Sequence, residues 1–242
     1  MSLLEIENVS KKFGGVQAVN DVSLHLDEGE ILGIIGPNGA GKTSLFNLIT
    51  GTVRSDTGRI AMGGQDITTM SPAKRARAGI GRTFQVVRPF TGMTVTENVM
   101  VPLLVHTHRV SEARAKALAL LGDLGIGHIA DHDVSQLTLV QRKRIEVARA
   151  LATEPKVLLL DEVLAGLNSR EVLDVLPFVT DVRSRGVSII MIEHLVKALT
   201  AVSDRVVVLD RGILIAQGRS EGVLKDPAVI TAYLGEEHHA ES

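Results

Sequence analysis

Residues 36–44 read Gly-Pro-Asn-Gly-Ala-Gly-Lys-Thr-Ser, the pattern G-x-x-x-x-G-K-[ST] closed by Lys42 and Thr43. The residues on either side dictate how such a loop must be held. Before it, Ile31-Leu32-Gly33-Ile34-Ile35 is a continuous apolar run, as a strand buried on both faces requires. After it, Ser44-Leu45-Phe46-Asn47-Leu48-Ile49 has the spacing of a helix that buries one side. The predicted unit is strand, glycine loop, helix. Small residues let backbone N–H groups wrap a chain of phosphates, and the helix N-terminus adds partial positive charge. Gly36, Pro37, Asn38, Gly39, Ala40, Gly41, Lys42, Thr43 and Ser44 are therefore candidate phosphate-binding residues. Lys42 is suited to the β- and γ-phosphates and the Thr43 hydroxyl to a magnesium ion. A glycine-rich turn that merely caps a helix is the alternative, and Lys-Thr in register disfavours it.

The rest of the chain supplies a matching scaffold. Leu3 to Val9 and Val22 to Leu26 alternate apolar and polar, which predicts strands with one wet face. Gly58 to Gly64 reads as a further strand closed by a turn. A helical pattern runs from Ser111 to about Ala130, with Ala117, Leu120, Leu121 and Leu124 on one face and Gly125 and Gly127 breaking it. A second helix follows Thr138 and stops before Pro155. Strand and helix then alternate: Val157 to Leu160, a helix from Ser169 with Val172, Val175, Leu176, Val179 and Val182 in a stripe, and Val187 to Ile192. That order predicts a parallel sheet with crossover helices. Pro177 inside the Ser169 helix predicts a kink. Val206 to Leu209 and Ile213 to Ile215 read as a hairpin, and the polar end from Glu236, with His238 and His239, as a frayed tail.

At 242 residues the chain can bury a core without disulfides, and it has no cysteine. Lys+Arg 26 against Asp+Glu 28 argues against a nucleic-acid binder working by bulk charge. No apolar run reaches the length of a membrane span, and the first residues lack the pattern of a signal peptide.

Leu158-Leu159-Leu160-Asp161-Glu162 sets two acids at the end of a buried strand, where ligands of open α/β sheets sit. Asp161 is suited to hold magnesium and Glu162 to polarise a water for attack on a γ-phosphate. With the phosphate loop, these acids make the chain resemble the ATP-binding subunit of ABC transporters over nearly its whole length. Arg82-Thr83-Phe84-Gln85 looks like that family's glutamine loop, and Ile192-Glu193-His194 like its switch region. The resemblance implies that Gln85 contacts magnesium and the attacking water, that His194 reaches the γ-phosphate, and that Phe13 packs on the adenine. Ala165-Gly166-Leu167-Asn168 falls in the loop that crosses to a partner subunit. Phe46 to Gly51, Met93 to Asn98 and Ala232 to Glu236 make the chain most similar to the subunits of branched-chain amino acid importers, with urea/amide and lipopolysaccharide-export subunits sharing parts of the pattern.

The implied fold is α/β: a P-loop NTPase core with a parallel sheet, an antiparallel β subdomain and an inserted helical subdomain. One ABC domain would span 1–242, with the core at 1–88 and 153–242 and the helices at 89–152. The implied ligands are ATP and Mg2+. The implied partners are a second ABC ATP-binding subunit and integral membrane permeases, and the implied place is peripheral, on the cytoplasmic face of the inner or cell membrane.

One segment departs from the family. Its signature is Leu-Ser-Gly-Gly-Gln, and here Leu137-Thr138-Leu139-Val140-Gln141 stands instead. In the family these residues face the nucleotide of the opposite subunit, so Thr138, Leu139, Val140 and Gln141 would act in trans. T-x-x-Q is a capping box, so a helix start is expected, with Arg142-Lys143-Arg144 in its first turns and Ile145, Ala148 and Leu151 inward. Leu139 and Val140 crowd a site where glycines let the backbone approach, and a β-branched residue resists positive φ. Alternatively both side chains point away from the nucleotide. A site impaired in this way favours a heterodimer, because this chain's own Lys42 and Glu162 are completed by a partner's signature. Val163 and Asn168 are smaller departures, from proline and aspartate. Other readings are a soluble ABC-type protein in assembly or regulation, and a scaffold without turnover. A GTPase is disfavoured because no Asn-Lys-x-Asp motif occurs.

Overall fold

The computed structural model describes residues 2–83 and 89–237. The chain opens with β1 (Ser2–Phe13) and β2 (Val16–Asp27), joined tightly through Gly14 and Gly15. Both strands run beyond the alternating stretches seen in the sequence. Lys11 pairs with Val19 and Lys12 with Gln17, so the polar end of the hairpin is held by its ladder, not by burial. Next come β3 (Ile31–Ile35), α1 (Lys42–Thr50), β4 (Thr57–Met62), β5 (Gln65–Asp66), α2 (Pro72–Arg77) and β6 (Ile80–Arg82). Three helices follow, α3 (Val95–Leu103), α4 (Val110–Asp123) and α5 (Leu139–Leu151). The chain then runs through β7 (Val157–Asp161), α6 (Ser169–Ser184), β8 (Ser188–Ile192), α7 (Val196–Val202), β9 (Arg205–Asp210), β10 (Ile213–Gly218), α8 (Ser220–Val223) and α9 (Pro227–Glu237).

Among the described residues the strands form two sheets, ordered β2-β1-β4-β5 and β10-β9-β3-β8-β7-β6. The first is antiparallel. In the second, β9, β3, β8, β7 and β6 are parallel, and β10 turns back along the edge. Apart from polar residues at their ends, the parallel strands are apolar because both faces are covered. Ile31, Leu158, Leu160, Ile189 and Met191 enter a core shared with α3 to α7. Leu32, Ile34, Val157, Leu159, Ile190 and Ile192 enter a second core with α1 and the antiparallel sheet. The period of two along each strand thus feeds two cores from one sheet.

Helices agree with their sequence signals in kind and differ in extent. Helix α4 stops at Asp123, short of the expected Ala130, and Gly125 adopts φ +69. A short 3-10 turn over Gly127–Ile129 then returns Ile126 and Ile129 to the core. Helix α6 passes through Pro177 as one continuous helix, and Phe178 joins its buried stripe. Helix α3 was not expected, although Thr94 and Glu97 form a complete capping box ahead of buried Val95, Val99, Met100 and Leu103. Among the described residues no helix is long and apolar enough to cross a membrane.

Candidate functional site

The C-terminal ends of β3, β8, β7 and β6 lie side by side, and each delivers one part of the site. After β3 comes the loop 36–44. A Cβ on Gly36 would run into the Leu209 carbonyl of β9, and one on Gly41 into the Ala18 carbonyl of β2. Glycine is required there by close packing against neighbouring strands, a demand separate from access to phosphate. Lys42 is buried, and its ammonium donates to the carbonyls of Gly36 (2.6 Å) and Pro37 (2.8 Å). Thr43 and Asn38 are exposed beside it.

Strand β7 ends in Asp161, which is buried. One carboxylate oxygen accepts from the Arg82 guanidinium at 2.7 Å. The other, Oδ1, is buried and has no hydrogen-bond partner among the described residues. Arg82, at the end of β6, also donates to Asn47 of α1 at 2.6 Å, so it links the carboxylate to the helix after the phosphate loop. Glu162 follows with φ +50, left-handed backbone that a non-glycine residue adopts only when its surroundings impose it. Its N–H donates to the Ile192 carbonyl at 3.0 Å, and its Oε1 lies 2.9 Å from Nε2 of His194.

Glu162 and His194 meet the loop residues Asn38 to Ser44 in one cavity of about 230 Å3, lined also by Val16, Gln17 and Ala18, while Asp161, Gly36 and Pro37 are not part of its lining. Phe13 is not part of that lining. It sits at the hairpin tip, 45% exposed, opposite its cross-strand partner Val16, with the Lys11 ammonium 5.6 Å from its ring centre. Gln85 lies outside the described residues.

Thr138 to Gln141 also lie away from the cavity. The capping box is complete: Thr138 Oγ1 accepts the Gln141 N–H at 3.3 Å, and Gln141 Oε1 accepts the Thr138 N–H at 2.9 Å. Leu139 and Val140 open α5 with ordinary negative φ, which corrects the expectation that a β-branched residue here meets a left-handed backbone. Their side chains part company. Val140 packs on the core, whereas Leu139 stays 43% exposed and leans towards Gly166, whose added Cβ would lie 3.3 Å from Leu139 Cδ2.

Two charged residues were given no role of their own in the sequence reading. Lys143 and Glu193 are buried behind Glu162. Burial pushes the Glu193 carboxyl up to about 7, against the opposing pull of the Leu164 N–H and Lys143. Burial likewise lowers the Lys143 ammonium from its ordinary range. Lys143 was visible only as part of a basic run, which ordinarily marks a wet face.

A family model for the ABC transporter matches residues 19–165, more than half the chain. The chain belongs to the ABC transporter family. It is an ATP-binding subunit of that family, whose members hydrolyse ATP. A second model, for the branched-chain amino acid ATP-binding cassette transporter, matches residues 214–239. The lipopolysaccharide export system ATP-binding protein LptB of Haemophilus influenzae is 39% identical, covering 98% of this chain and 99% of its own length. The high-affinity branched-chain amino acid transport ATP-binding protein BraF of Pseudomonas aeruginosa is 37% identical, covering 97% and 98%. Its counterpart LivG of Escherichia coli is 37% identical with the same coverage. Among solved structures, an ATP-binding cassette of an ABC transporter in its ADP conformation superposes with TM-score 0.90 at 34% identity, covering 97% of this chain and 99% of the other.

Proposed function

We propose that this ABC chain hydrolyses ATP with Lys42, Glu162 and His194 and powers the import of branched-chain or related amino acids through partner permeases. The meeting of those three side chains on one cavity carries the hydrolytic reading. The loop N–H groups and the Lys42 ammonium, now turned to two loop carbonyls, bind the β- and γ-phosphates. Glu162 takes the proton of the attacking water, and His194 orients that carboxylate and reaches the γ-phosphate. Thr43 and Asp161, with Gln85, would hold Mg2+. The unpartnered buried oxygen of Asp161 fits a hard cation that prefers oxygen ligands. Bound there, the ion offsets charge on the phosphates. Phe13 stacks on the adenine from the hairpin tip, and Thr138 to Gln141 serve the nucleotide of a second cassette, in a heterodimer by preference.

Residues 1–88 and 153–242 form the nucleotide-binding core and 89–152 the helical subdomain. A groove of about 430 Å3 lined by Thr52, Phe90, Val101, Pro102, Val105 and Arg149 supports permease docking at the cytoplasmic face of the inner or cell membrane. The match over residues 214–239 and the relatives BraF and LivG support an amino-acid cargo. Identity to the export protein of Haemophilus influenzae favours export as the second reading. Uptake of labelled leucine in cells lacking this chain decides between them. Uptake restored by wild type but not by Lys42→Ala supports import. Unchanged uptake with lipopolysaccharide retained inside the cell supports export. A soluble regulator would show no retention on membranes, whether residues 86–99 are intact or scrambled.

A further inference from the structure

The basic run Arg142-Lys143-Arg144 is not a wet face. Each side chain donates to a backbone carbonyl of a different segment. Arg142 reaches Ser135 at 3.0 Å, Lys143 reaches Glu162 at 3.0 Å, and Arg144 reaches Asp174 in α6 at 2.8 Å. Of the three, Lys143 is the buried one, only 6% exposed. Removing an ammonium from water is costly unless fixed dipoles or an opposite charge replace the water. Here the Glu162 carbonyl does so, aided by attraction to Glu193 and Glu162. Glu193 closes the arrangement from the other side: its Oε1 accepts the Leu164 N–H at 2.8 Å. The loop after β7 is thus gripped at the carbonyl of residue 162, which itself holds φ +50, and at the amide of residue 164. A strained backbone of that kind persists only where its surroundings over-determine it.

We infer that Lys143 is a positioning residue for Glu162, fastening the start of α5 to the loop that carries the carboxylate. Lys143 does not face the cavity and touches no reacting atom; it acts by fixing the backbone from which Glu162 reaches His194. The helix that fastens this loop is the one whose first turn, on the reading above, serves the partner's nucleotide. A shift of α5 on meeting that nucleotide is therefore transmitted to this chain's own Glu162. The inference rests on Glu162 as the group that activates water.

The test compares ATP hydrolysis and ATP affinity for the full chain and four variants: Lys143→Met, Lys143→Arg, the double variant Lys143→Met/Glu193→Gln, and Glu162→Gln. Lys143→Met should lower kcat about 10- to 100-fold, the scale of a small misplacement of a reacting group, with affinity for a fluorescent ATP analogue unchanged. Lys143→Arg should recover most of the loss, because a guanidinium can donate to the same carbonyl. Amide exchange should quicken over residues 162–168 and stay unchanged over 36–44. Should Lys143→Met fold poorly for want of a partner to Glu193, the double variant removes both charges and carries the same expectation. A wild-type kcat in Lys143→Met, alongside an inactive Glu162→Gln, would overturn the role of Lys143 and leave the site reading intact. Equal losses of kcat, affinity and melting temperature in both the Met and Arg variants would overturn it too, by showing a purely structural lysine. Full activity in Glu162→Gln would instead remove the site reading itself, and this inference with it.

Discussion

Lys42 is a buried cation that opens the helix after the phosphate loop and donates to two carbonyls of that loop, where the β- and γ-phosphates would supply opposite charge. Replacing it by alanine should therefore lower ATP turnover at least about 100-fold, the scale seen when a donor aimed at developing charge is lost. An unchanged rate would refute the phosphate-loop assignment. Glu162→Gln keeps the shape of the side chain and removes the base, so ATP should still bind, measured by analogue fluorescence, while hydrolysis stops. Glu193 makes a prediction about stability. Its carboxyl ionises near 4.5 in the unfolded chain and near 7 in the fold, so the native state holds a proton the unfolded state has lost. That contribution is fully present below about 4.5 and is lost as pH rises to about 7. Glu193→Gln is neutral throughout, so its melting temperature should fall less than wild type between those two pH values. A parallel pH profile for the two proteins would show that Glu193 ionises freely in the fold.

At the scale of elements, legibility followed contiguity. The phosphate loop, the acids at 161 and 162 and the alternating strands are continuous in sequence, and each fixes its local shape through residues next to it. The Arg82 link to Asp161, the Glu193 link to Leu164 and the Lys143 link to Glu162 join positions 79, 29 and 19 residues apart. No spacing rule connects such positions before the sheet aligns its strand ends. The glycines of the loop were legible, but part of the reason for them was not: the carbonyls of Ala18 and Leu209 that exclude a side chain arrive from β2 and β9. Helix α5 divides in the same way. Its cap was written in T-x-x-Q, while the different fates of Leu139 and Val140 depend on what packs beside them. Since Val140 faces the core and Leu139 does not, the two departures from the family signature separate. Leu139→Gly should raise the ATPase rate of the purified chain, at a cost of about 1 kcal/mol in helix propensity. Val140→Gly should lower melting temperature without that gain. Equal rates for wild type and Leu139→Gly would show that the protruding side chain does not obstruct the nucleotide.

On the proposed reading, the whole molecule acts through geometry that one chain cannot complete. Lys42 and Glu162 share a cavity, whereas Thr138 to Gln141 stand away from it, so on the proposed reading each chain lends its α5 to the nucleotide of another. A side chain that obstructs at residue 139 then harms the opposite site and spares its own. Pairs purified through two different tags put this to the test. In one pair, a chain carrying both Lys42→Ala and Leu139→Gly faces a wild-type chain. The intact loop now meets the relieved helix start, and hydrolysis should exceed that of a wild-type chain paired with Lys42→Ala alone. In the second pair, Leu139→Gly sits on the chain that keeps Lys42, opposite a Lys42→Ala chain with Leu139 in place. The same two changes are present, but the relieved helix faces a loop without its lysine, so no gain is expected. A gain in the second pair and not the first would mean that Leu139 acts on its own site, through Gly166 and the loop that carries Glu162. An equal gain in both would mean that residue 139 affects the fold of α5 and not the approach of a nucleotide.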